Sequence, residues 1–383
     1  MIPMYSAGSK EKFLTSLNEV KLWITKVIYK KEIGSLSKKY PQYFEVKDNG
    51  PQKHVHYWES RGFKNVDRRW YLWYRGCSGI DDEKYVPEDI YYTRIEPNLN
   101  NQYLSLAYAD KNLYEQRYDP DLFPPTVLRC INGIFYDRYY NVLNEKNVSN
   151  LFKGLEEGVY ILKPSIDSGG GKNVQFITIV DGEPLDARGK RLLLGEIKKW
   201  YRGNFLIQRK IEQNDFFTQF HNSSTNTVRL MTYYSEYSDE VYPLKATMRM
   251  GVNNSTLDNE TTGGISCGIY NNGHLNSYAV DKYGSKHFEH PSSGVAFEGK
   301  SVPKYEAMID IAKQLHRGNP HHRLLSFDLT MDMEGNVIVI EINNKNMGIN
   351  FLQLFGGPLF GGLTEEVIEI SKKQENGSRI LWY

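Results

Sequence analysis

The stretch Phe327-Asp-Leu-Thr-Met-Asp-Met-Glu-Gly-Asn-Val-Ile-Val-Ile-Glu-Ile-Asn343 contains two runs of alternating apolar and polar residues around a Glu-Gly pair. Such alternation on both sides of a glycine turn predicts an antiparallel β-hairpin. With the turn centred between Glu334 and Gly335, Asp332 pairs with Val337, and Asp328 pairs with Glu341. Two acidic side chains then face each other on neighbouring strands.

Alternation along the hairpin also divides its side chains between two faces. Like charges that lie directly opposite each other destabilise a sheet unless a cation neutralises them, and hard divalent cations prefer oxygen ligands. We therefore predict a magnesium site formed by Asp328, Glu341 and Asn343; the alternative is a solvated strand face. The polar face carries Asp328, Thr330, Glu341 and Asn343, and the apolar face carries Phe327, Leu329, Met331, Ile338, Ile340 and Ile342.

A glycine-rich segment upstream has the composition of a phosphate-binding flap. Lys163 ends one predicted strand, and Ser168-Gly169-Gly170-Gly171-Lys172 precedes another. Successive glycines let backbone N–H groups approach an anion closely, and the two lysines add positive charge. The segment is not a Walker A loop, because Ile166 replaces its first glycine and Asn173 replaces its serine or threonine. The alternative is a plain hairpin turn.

Composition excludes several other classes of protein. The 383 residues include 47 Lys and Arg against 46 Asp and Glu, which gives a net charge of +1. Without a basic excess, nucleic acid is not expected as a partner. Cys77, Cys130 and Cys267 have no metal-binding or redox spacing and predict reduced thiols in a cytoplasmic protein. No segment resembles a signal peptide or a membrane span, so we expect any membrane role to be peripheral.

The order of predicted elements indicates a mixed α+β protein. An apolar stripe from Ser9 to about Tyr29 predicts a helix that packs into a core. The aromatic-rich region that follows, up to residue 108, has no clear period. The predicted strands are Val159–Leu162, Gln175–Val180, Phe205–Gln208, Thr227–Tyr233, Tyr242–Met250 and the hairpin, and the predicted helices are Leu192–Trp200, Lys304–Leu315 and Thr364–Lys373.

Lys163 before a glycine flap, followed far downstream by Asp328, Glu341 and Asn343, resembles the ATP-grasp superfamily. The resemblance implies two α+β lobes that hold ATP, with two magnesium ions on the three hairpin residues. It further implies that Lys111 of Asp110-Lys111-Asn112 reaches the phosphates. The stretch Phe205–Asp215 is similar to the hinge strand under adenine, which places Gln208, Arg209, Lys210 and Ile211 beside the base and Asp215, or alternatively Glu212, at the ribose. Gln208 stands where the superfamily usually has glutamate.

One branch of the superfamily, the sugar-transfer-associated ATP-grasp family, is resembled more closely. The motifs lie between about Ala109 and Thr364, and the aromatic-rich N-terminal region matches only loosely. They are Asn226-Thr-Val-Arg-Leu-Met-Thr232, Met248-Arg-Met-Gly251, Asp258-Asn259, Gly263-Gly264-Ile265, His290-Pro291 and Ser326-Phe-Asp328.

This resemblance implies an ATP- and magnesium-dependent ligase that joins a small-molecule or sugar-linked carboxylate to an amine through an acyl phosphate. The expected setting is surface polysaccharide biosynthesis, with peripheral association with the assembly enzymes. Arg249 would stabilise the acyl phosphate or an oxyanion, and Arg229 would clamp a carboxylate or phosphate; alternatively, either arginine pairs with a structural carboxylate. The expected parts are residues 1–108, an ATP-grasp N-terminal lobe at 109–203 and a C-terminal lobe at 204–383.

Two other functions remain open at this point. The same ATP site could serve a sugar kinase, for which Asp258 is the one candidate base. A non-catalytic nucleotide-binding component of a polysaccharide assembly complex is the third hypothesis. The presence of Lys163, Asp328, Glu341 and Asn343 together argues against the non-catalytic hypothesis.

Overall fold

The chain folds into two seven-stranded antiparallel sheets and a helical N-terminal region. The computed structural model describes residues 7–46, 48–166, 171–256, 258–259 and 263–373. The predicted α+β class and the partly helical N-terminal region are confirmed.

Aromatic residues of the N-terminal region form a buried core. Trp58, Trp70, Trp73, Tyr74 and Tyr85 are all essentially inaccessible to solvent. These side chains are therefore core residues and do not form an exposed aromatic surface. The helices of this region are α1 (Ala7–Lys39), α2 (Gly50–Ser60), α3 (Arg69–Ser78), α4 (Glu88–Ile90), α5 (Glu96–Leu99), α6 (Ser105–Ala109) and α7 (Tyr114–Arg117), with a π-helical turn at Tyr91–Ile95 and 3-10 turns at Pro41–Tyr43, Lys111–Leu113 and Pro120–Leu122.

Helix α1 is longer than predicted, and its C-terminal part packs against aromatic residues of the N-terminal region. Ile33 is fully buried, with Tyr29 and Leu36 packed against the same aromatic cluster. The expectation that the apolar stripe packs into a core is wrong at four of its positions. Among the described side chains of α1, the exposed apolar ones are Val20, Trp23, Ile24 and Ile28.

The first sheet has the strand order β3-β2-β1-β7-β4-β5-β6. Its central strand β7 pairs with β1 and β4, so this sheet continues beyond the boundary predicted after residue 203. The elements are β1 (Thr126–Ile131), β2 (Ile134–Tyr136), β3 (Val142–Leu143), α8 (Glu145–Lys153), β4 (Gly158–Pro164), β5 (Gln175–Val180), β6 (Glu183–Leu185), α9 (Leu194–Trp200) and β7 (Phe205–Arg209).

The second sheet has the order β12-β11-β10-β9-β8-β13-β14. Helix α11 packs on one side of it, and α12 packs against β9 and β10. The elements are α10 (Asp215–Thr218), β8 (Thr227–Tyr234), β9 (Val241–Met250), β10 (Ile265–Ile269), β11 (Leu275–Asp281), β12 (Lys286–His287), α11 (Tyr305–Arg317), β13 (Leu324–Met331), β14 (Val337–Asn343), α12 (Asn350–Gly356) and α13 (Thr364–Lys373), with a 3-10 turn at Gly361–Leu363.

The β13–β14 hairpin confirms the pairing of Asp328 with Glu341 but corrects the register near the turn. Met331 pairs with Val337, where Asp332 was expected, because a β-bulge lies between the two parts of the ladder. An extra residue in one strand shifts the alternation of its side chains. The core face of β14 therefore carries Val337, Val339 and Ile342, and Ile340, predicted for that face, lines a cleft with Glu341.

Each of the five single strands predicted upstream of the hairpin lies within an observed strand. Cys77, Cys130 and Cys267 are buried and form no disulfide. A search of the described residues found no helix with the length and apolar character needed to cross a membrane.

Candidate functional site

Side chains from both sheets line a cleft that lies between them. The first sheet contributes residues of β4, β5 and β7, and the second contributes residues of β8, β9, β13 and β14. Charged groups and apolar side chains both line it. The lining residues are Lys111, Pro124, Ile161, Lys163, Gly171, Val174, Phe176, Gln208, Arg209, Ile211, Thr225, Thr227, Arg229, Arg249, Thr256, Asp258, Asn259, Asp328, Ile340 and Glu341.

Lys111 lies where the two sheets approach each other. Its backbone N–H donates to the Ser165 carbonyl at 2.9 Å, and its Nζ lies 2.8 Å from Glu341 Oε1. Helix α7, which begins at Tyr114, is fixed to β14. The Tyr114 hydroxyl donates to the Ile342 carbonyl at 3.1 Å and accepts from the Ile342 N–H at 3.2 Å. These contacts hold a lysine from before the first strand directly beside the hairpin carboxylate.

Lys163 is the second buried lysine of the cleft, at the end of β4. Burial and the nearby Lys111 ammonium lower the pKa of Lys163 to about 7, although Glu341 acts in the opposite direction. Two close lysines in a buried setting make the region favourable for a multiply charged anion, which would stabilise the protonated forms of both.

The two hairpin carboxylates are ionised although Asp328 is buried and Glu341 is partly buried. Burial alone would raise the pKa of Asp328, but Arg229 and Arg249 outweigh it, and the net pKa is below the usual value. The same holds for Glu341, where Lys111 makes the largest opposing contribution to the pKa. Both groups are therefore negatively charged oxygen donors at neutral pH.

The arginines predicted to be catalytic both contact Asp328. Nε and Nη2 of Arg229 each lie 2.8 Å from one oxygen of this carboxylate. Nη1 of Arg249 lies 3.4 Å from Asp328 Oδ2, and its Nη2 lies 3.6 Å from Asp258 Oδ1. The Thr227 hydroxyl also donates to Asp258. Both arginines thus pair with carboxylates that line the cleft, and among the described residues neither pairs with a carboxylate outside the site.

Gln208 lies in a mostly apolar part of the cleft lining, to which Arg209 also contributes. The Gln208 amide nitrogen donates to the Pro124 carbonyl at 2.9 Å and to Thr126 Oγ1 at 3.0 Å. Its amide oxygen is buried and has no hydrogen-bond partner among the described residues. A buried acceptor without a donor is costly, so a ligand that supplies an N–H group would be favoured here. Apolar neighbours of Gln208 in the lining are Pro124, Ile161, Val174, Phe176, Ile211 and Ile340.

Several predicted binding residues lie elsewhere or outside the described residues. Ser168, Gly169 and Gly170 are not among the described residues, whereas Gly171 lines the cleft with a φ of +73°. Lys172 is exposed and Asp215 begins α10 with an exposed side chain, and neither is in the cleft lining described here. Lys210 and the alternative ribose residue Glu212 line a neighbouring surface pocket that also includes Arg209 and Ile211.

Most of the apolar residues in the lining are not predicted by the motifs of the sequence. Val174, just before β5, and Phe176, on β5, line the cleft, whereas Ile177 and Ile179 of the same strand belong to the core. The alternation of faces along a strand could have predicted Val174 and Phe176 as residues of the opposite face. Ile340 had no such signal, because the bulge reverses its predicted face.

The donor chemistry of the hairpin fits magnesium shared with a ligand. Among the described residues, no three His, Cys, Asp or Glu side chains are grouped to hold a metal by themselves. Mg²⁺ usually takes one or two protein carboxylates and completes its shell with phosphate oxygens and water. Asp328 and Glu341 meet this requirement, and Asn343, which is paired with Ser326 across the hairpin, can add an amide oxygen.

The family model described as sugar-transfer associated ATP-grasp matches residues 91–370, which is more than half of the chain. Comparison with curated proteins gave no match. Solved structures with similarity include the ATP-grasp ligase PsnB bound to a minimal precursor, Mg and ADP. The identity is 14%, 72% of this chain and 62% of PsnB are covered, and the TM-score is 0.38. This chain therefore spans less than two thirds of the length of PsnB.

Two amino-acid ligases show comparable similarity. D-alanyl-alanine synthetase A from Vibrio cholerae is 11% identical, with 70% of this chain and 65% of that chain covered and a TM-score of 0.38. D-alanine–D-alanine ligase from Bacillus anthracis is 12% identical, with 69% of each chain covered and a TM-score of 0.37.

Proposed function

The chain belongs to the sugar-transfer associated ATP-grasp family, and from this premise we propose that it is an ATP- and magnesium-dependent carboxylate–amine ligase. One observation carries the proposal. A single cleft joins two buried lysines and two ionised carboxylates to an apolar slot with a buried amide oxygen that no described residue contacts by a hydrogen bond. This arrangement matches the charge and hydrogen-bonding pattern of ATP with magnesium.

In the proposed complex, the adenine ring lies among the apolar side chains of the slot. Its exocyclic amine donates to the buried amide oxygen of Gln208. Because Gln208 retains an acceptor oxygen, the replacement of the usual glutamate keeps the one feature that recognises an amine. The backbone around Ile211, together with Phe176, encloses the base.

The phosphates lie at the charged end of the cleft. Lys111 and Lys163 hold their oxygens, and Asp328, Glu341 and Asn343 would hold the two magnesium ions. Bound there, magnesium neutralises charge that develops on the β- and γ-phosphates. Nucleotide binding would draw Lys111 from Glu341 toward phosphate, which frees that carboxylate as a metal ligand.

Ligation then takes two balanced steps. A carboxylate oxygen attacks the γ-phosphorus and the bond to the ADP oxygen breaks, which gives an acyl phosphate and ADP. The amine nitrogen attacks the acyl carbon, phosphate leaves with that oxygen, and the nitrogen loses a proton. In this mechanism Arg249 would stabilise the negative charge of these states, and Arg229 would orient an anionic group next to Asp328.

The experiment is an assay of ATP turnover with magnesium, in which pools of uronic acids and amines are offered and both ADP and free phosphate are measured. We expect equimolar ADP and phosphate only when an acid and an amine are both present. Glu341→Gln should abolish turnover. Glu334→Gln, an exposed change on the same hairpin, is the matched control and should have no effect.

The kinase alternative gives a different product ratio, since it would produce ADP without free phosphate. Its candidate base, Asp258, does line the cleft, but its carboxylate is engaged by Thr227 and Arg249. Tight ATP binding without turnover in any pool would contradict both enzymatic functions and favour the non-catalytic hypothesis.

The family's association with sugar transfer supports a role in surface polysaccharide biosynthesis. On this proposal the enzyme works in the cytoplasm, on a free or sugar-linked acid, and associates peripherally with assembly enzymes. Turnover with nucleotide-linked uronic acids but not with amino-acid pairs would support this setting, and the reverse preference would contradict it.

A further inference from the structure

A second cavity meets the cleft at its charged end. The two cavities share Lys111, Arg229, Asn259 and Glu341. A molecule in the second cavity would therefore reach the cleft at the point where the lysine and the hairpin carboxylate meet. Ser326, Asn343 and the loop at residues 344–348 also line the second cavity.

The charge and polarity of this second cavity favour a hydroxylated anion. The lining includes the cations Lys111, Arg229 and Lys345 and the carboxylate of Glu341, which pairs with Lys111. Ser326 is 1% exposed, and its hydroxyl has no hydrogen-bond partner among the described residues. Hydroxyl and amide side chains both donate and accept hydrogen bonds, which matches the hydroxyl groups of a sugar.

The loop at residues 344–348 forms one wall of the second cavity and is held by the N-terminal region. The Glu96 carboxylate accepts the Met347 N–H at 2.9 Å, and the Tyr92 hydroxyl donates to the Met347 carbonyl at 3.3 Å. Asn100 Nδ2 donates to the Asn344 carbonyl at 2.8 Å. These bonds tie both ends of the loop to a segment that precedes the first sheet.

Glu96 is well suited to fix this loop. It is 2% exposed, and it also accepts from the Asn346 N–H and from the Tyr91 hydroxyl. A carboxylate has two acceptor oxygens, whereas the amide of glutamine has one. Replacement by glutamine would therefore leave a loop N–H group without its partner while keeping the side-chain shape.

We propose that the second cavity binds the acid substrate, a hydroxylated carboxylate of the uronic acid class, and that Glu96 is a positioning residue for it. The assignment rests on the proposed ligase function. Its carboxylate would lie near Lys111 and Arg229, where it meets the terminal phosphate of the nucleotide, and its hydroxyl groups would lie along the 344–348 loop. The N-terminal region thus builds part of the acceptor site.

The test measures equilibrium binding of D-glucuronate, with D-glucose as the uncharged probe, in the presence and absence of MgADP. The wild-type protein should bind D-glucuronate and not D-glucose. Lys345→Ala removes a charged partner of D-glucuronate, and Glu96→Gln disorders the loop that carries Lys345. Each variant should therefore weaken D-glucuronate binding about tenfold or more. MgADP affinity should stay unchanged in both variants.

Matched controls separate this role from general destabilisation. Lys304→Ala removes a lysine outside both cavities, and Glu88→Gln neutralises another carboxyl of the same region that is 4% exposed and accepts from the Tyr74 hydroxyl. Both controls should bind D-glucuronate as the wild type does.

Wild-type affinity in Lys345→Ala and Glu96→Gln, or equal binding of D-glucose and D-glucuronate, would overturn the assignment. Failure of the wild type to bind MgADP would instead overturn the proposed function, whereas Lys345-dependent binding of D-glucuronate would still support the acid site.

Discussion

Arg229 and Asp328 face each other on neighbouring strands and form a bidentate ion pair, with two contacts of 2.8 Å. On its other side Asp328 pairs with Glu341, whose carboxylate contacts Lys111. Each carboxylate of this acidic pair is therefore in contact with a cationic side chain. The alternation of cations and carboxylates explains how the buried Asp328 and the partly buried Glu341 both stay ionised next to each other.

Replacing Arg229 tests whether this alternation matters for the reaction. Arg229→Gln removes the bidentate partner of Asp328 and leaves this carboxylate with Arg249 and beside Glu341, so the pKa of Asp328 should rise. We expect ATP turnover to fall by about 100-fold in steady-state assays at saturating magnesium. Arg317→Gln, which breaks the exposed pair with Glu240, is the control and should change little. Equal turnover in both variants would contradict the assignment.

Because the pKa of Lys163 is lowered, we expect nucleotide binding to depend on pH. Its pKa of about 7 lies below the ordinary value of 10.5, so above pH 7 the free protein carries it largely neutral. Bound phosphate favours the protonated form, and binding at pH 8 should therefore take up a proton. The affinity for MgADP should fall as the pH rises from 7 to 9.

Calorimetry of MgADP binding in buffers with different ionisation enthalpies measures this proton uptake. Lys163→Met has no group to titrate, so its affinity should be lower at pH 7 and nearly independent of pH. An unchanged pH slope in this variant would assign the titration to another group. The same linkage predicts that, through Lys163, the wild type gains stability as the pH rises from 7 toward 10.5, because the unfolded chain binds the extra proton there.

The hydrogen bonds of the Gln208 amide lead us to expect that a glutamate at this position lowers the free energy of unfolding. Its amide nitrogen donates to the Pro124 carbonyl and to Thr126. Gln208→Glu would place an acceptor against that carbonyl oxygen and should reduce the free energy of unfolding by about 1–3 kcal/mol. Denaturant unfolding at pH 8 checks this value. Gln208→Leu should in addition reduce discrimination between ATP and GTP in binding assays; unchanged discrimination would remove Gln208 from the base site.

Gly264 predicts an effect on the loop that carries Asp258. A Cβ atom at this position would lie 2.5 Å from the Asp258 carbonyl oxygen and within 3 Å of the backbone oxygens of Met250 and Asn259. Backbone atoms cannot move aside as side chains do, so Gly264→Ala should displace the loop and lower turnover about tenfold or more.

Gly195 on α9 is the control for this substitution. A Cβ atom there has nothing within 4 Å, and Gly195→Ala should keep full turnover and gain up to about 1 kcal/mol of stability. Full turnover in Gly264→Ala would show that the position of the Asp258 loop does not matter for the reaction.

The hairpin pairing of Asp328 with Glu341 and the five strands upstream could be predicted from the sequence, because both depend on local alternation. The bulge beside Glu341 could not, since no local pattern marks the extra residue, and it moved Ile340 from the core to the cleft. The helices of the aromatic-rich region could not be predicted from the sequence either. These helices are stabilised by the burial of large aromatic side chains in two clusters, with Trp58 in one and Trp70 and Trp73 in the other, rather than by a helical period.

The sequence by itself determined the chemical inventory of this protein: the acidic hairpin, the lysine before a glycine flap and their order along the chain. Only the tertiary structure decided how these groups combine. Contacts between residues far apart in the chain pair Lys111 with Glu341 and join Glu96 to the loop at 344–348. Such contacts depend on the packing of whole sheets and helices, which no short stretch of sequence encodes.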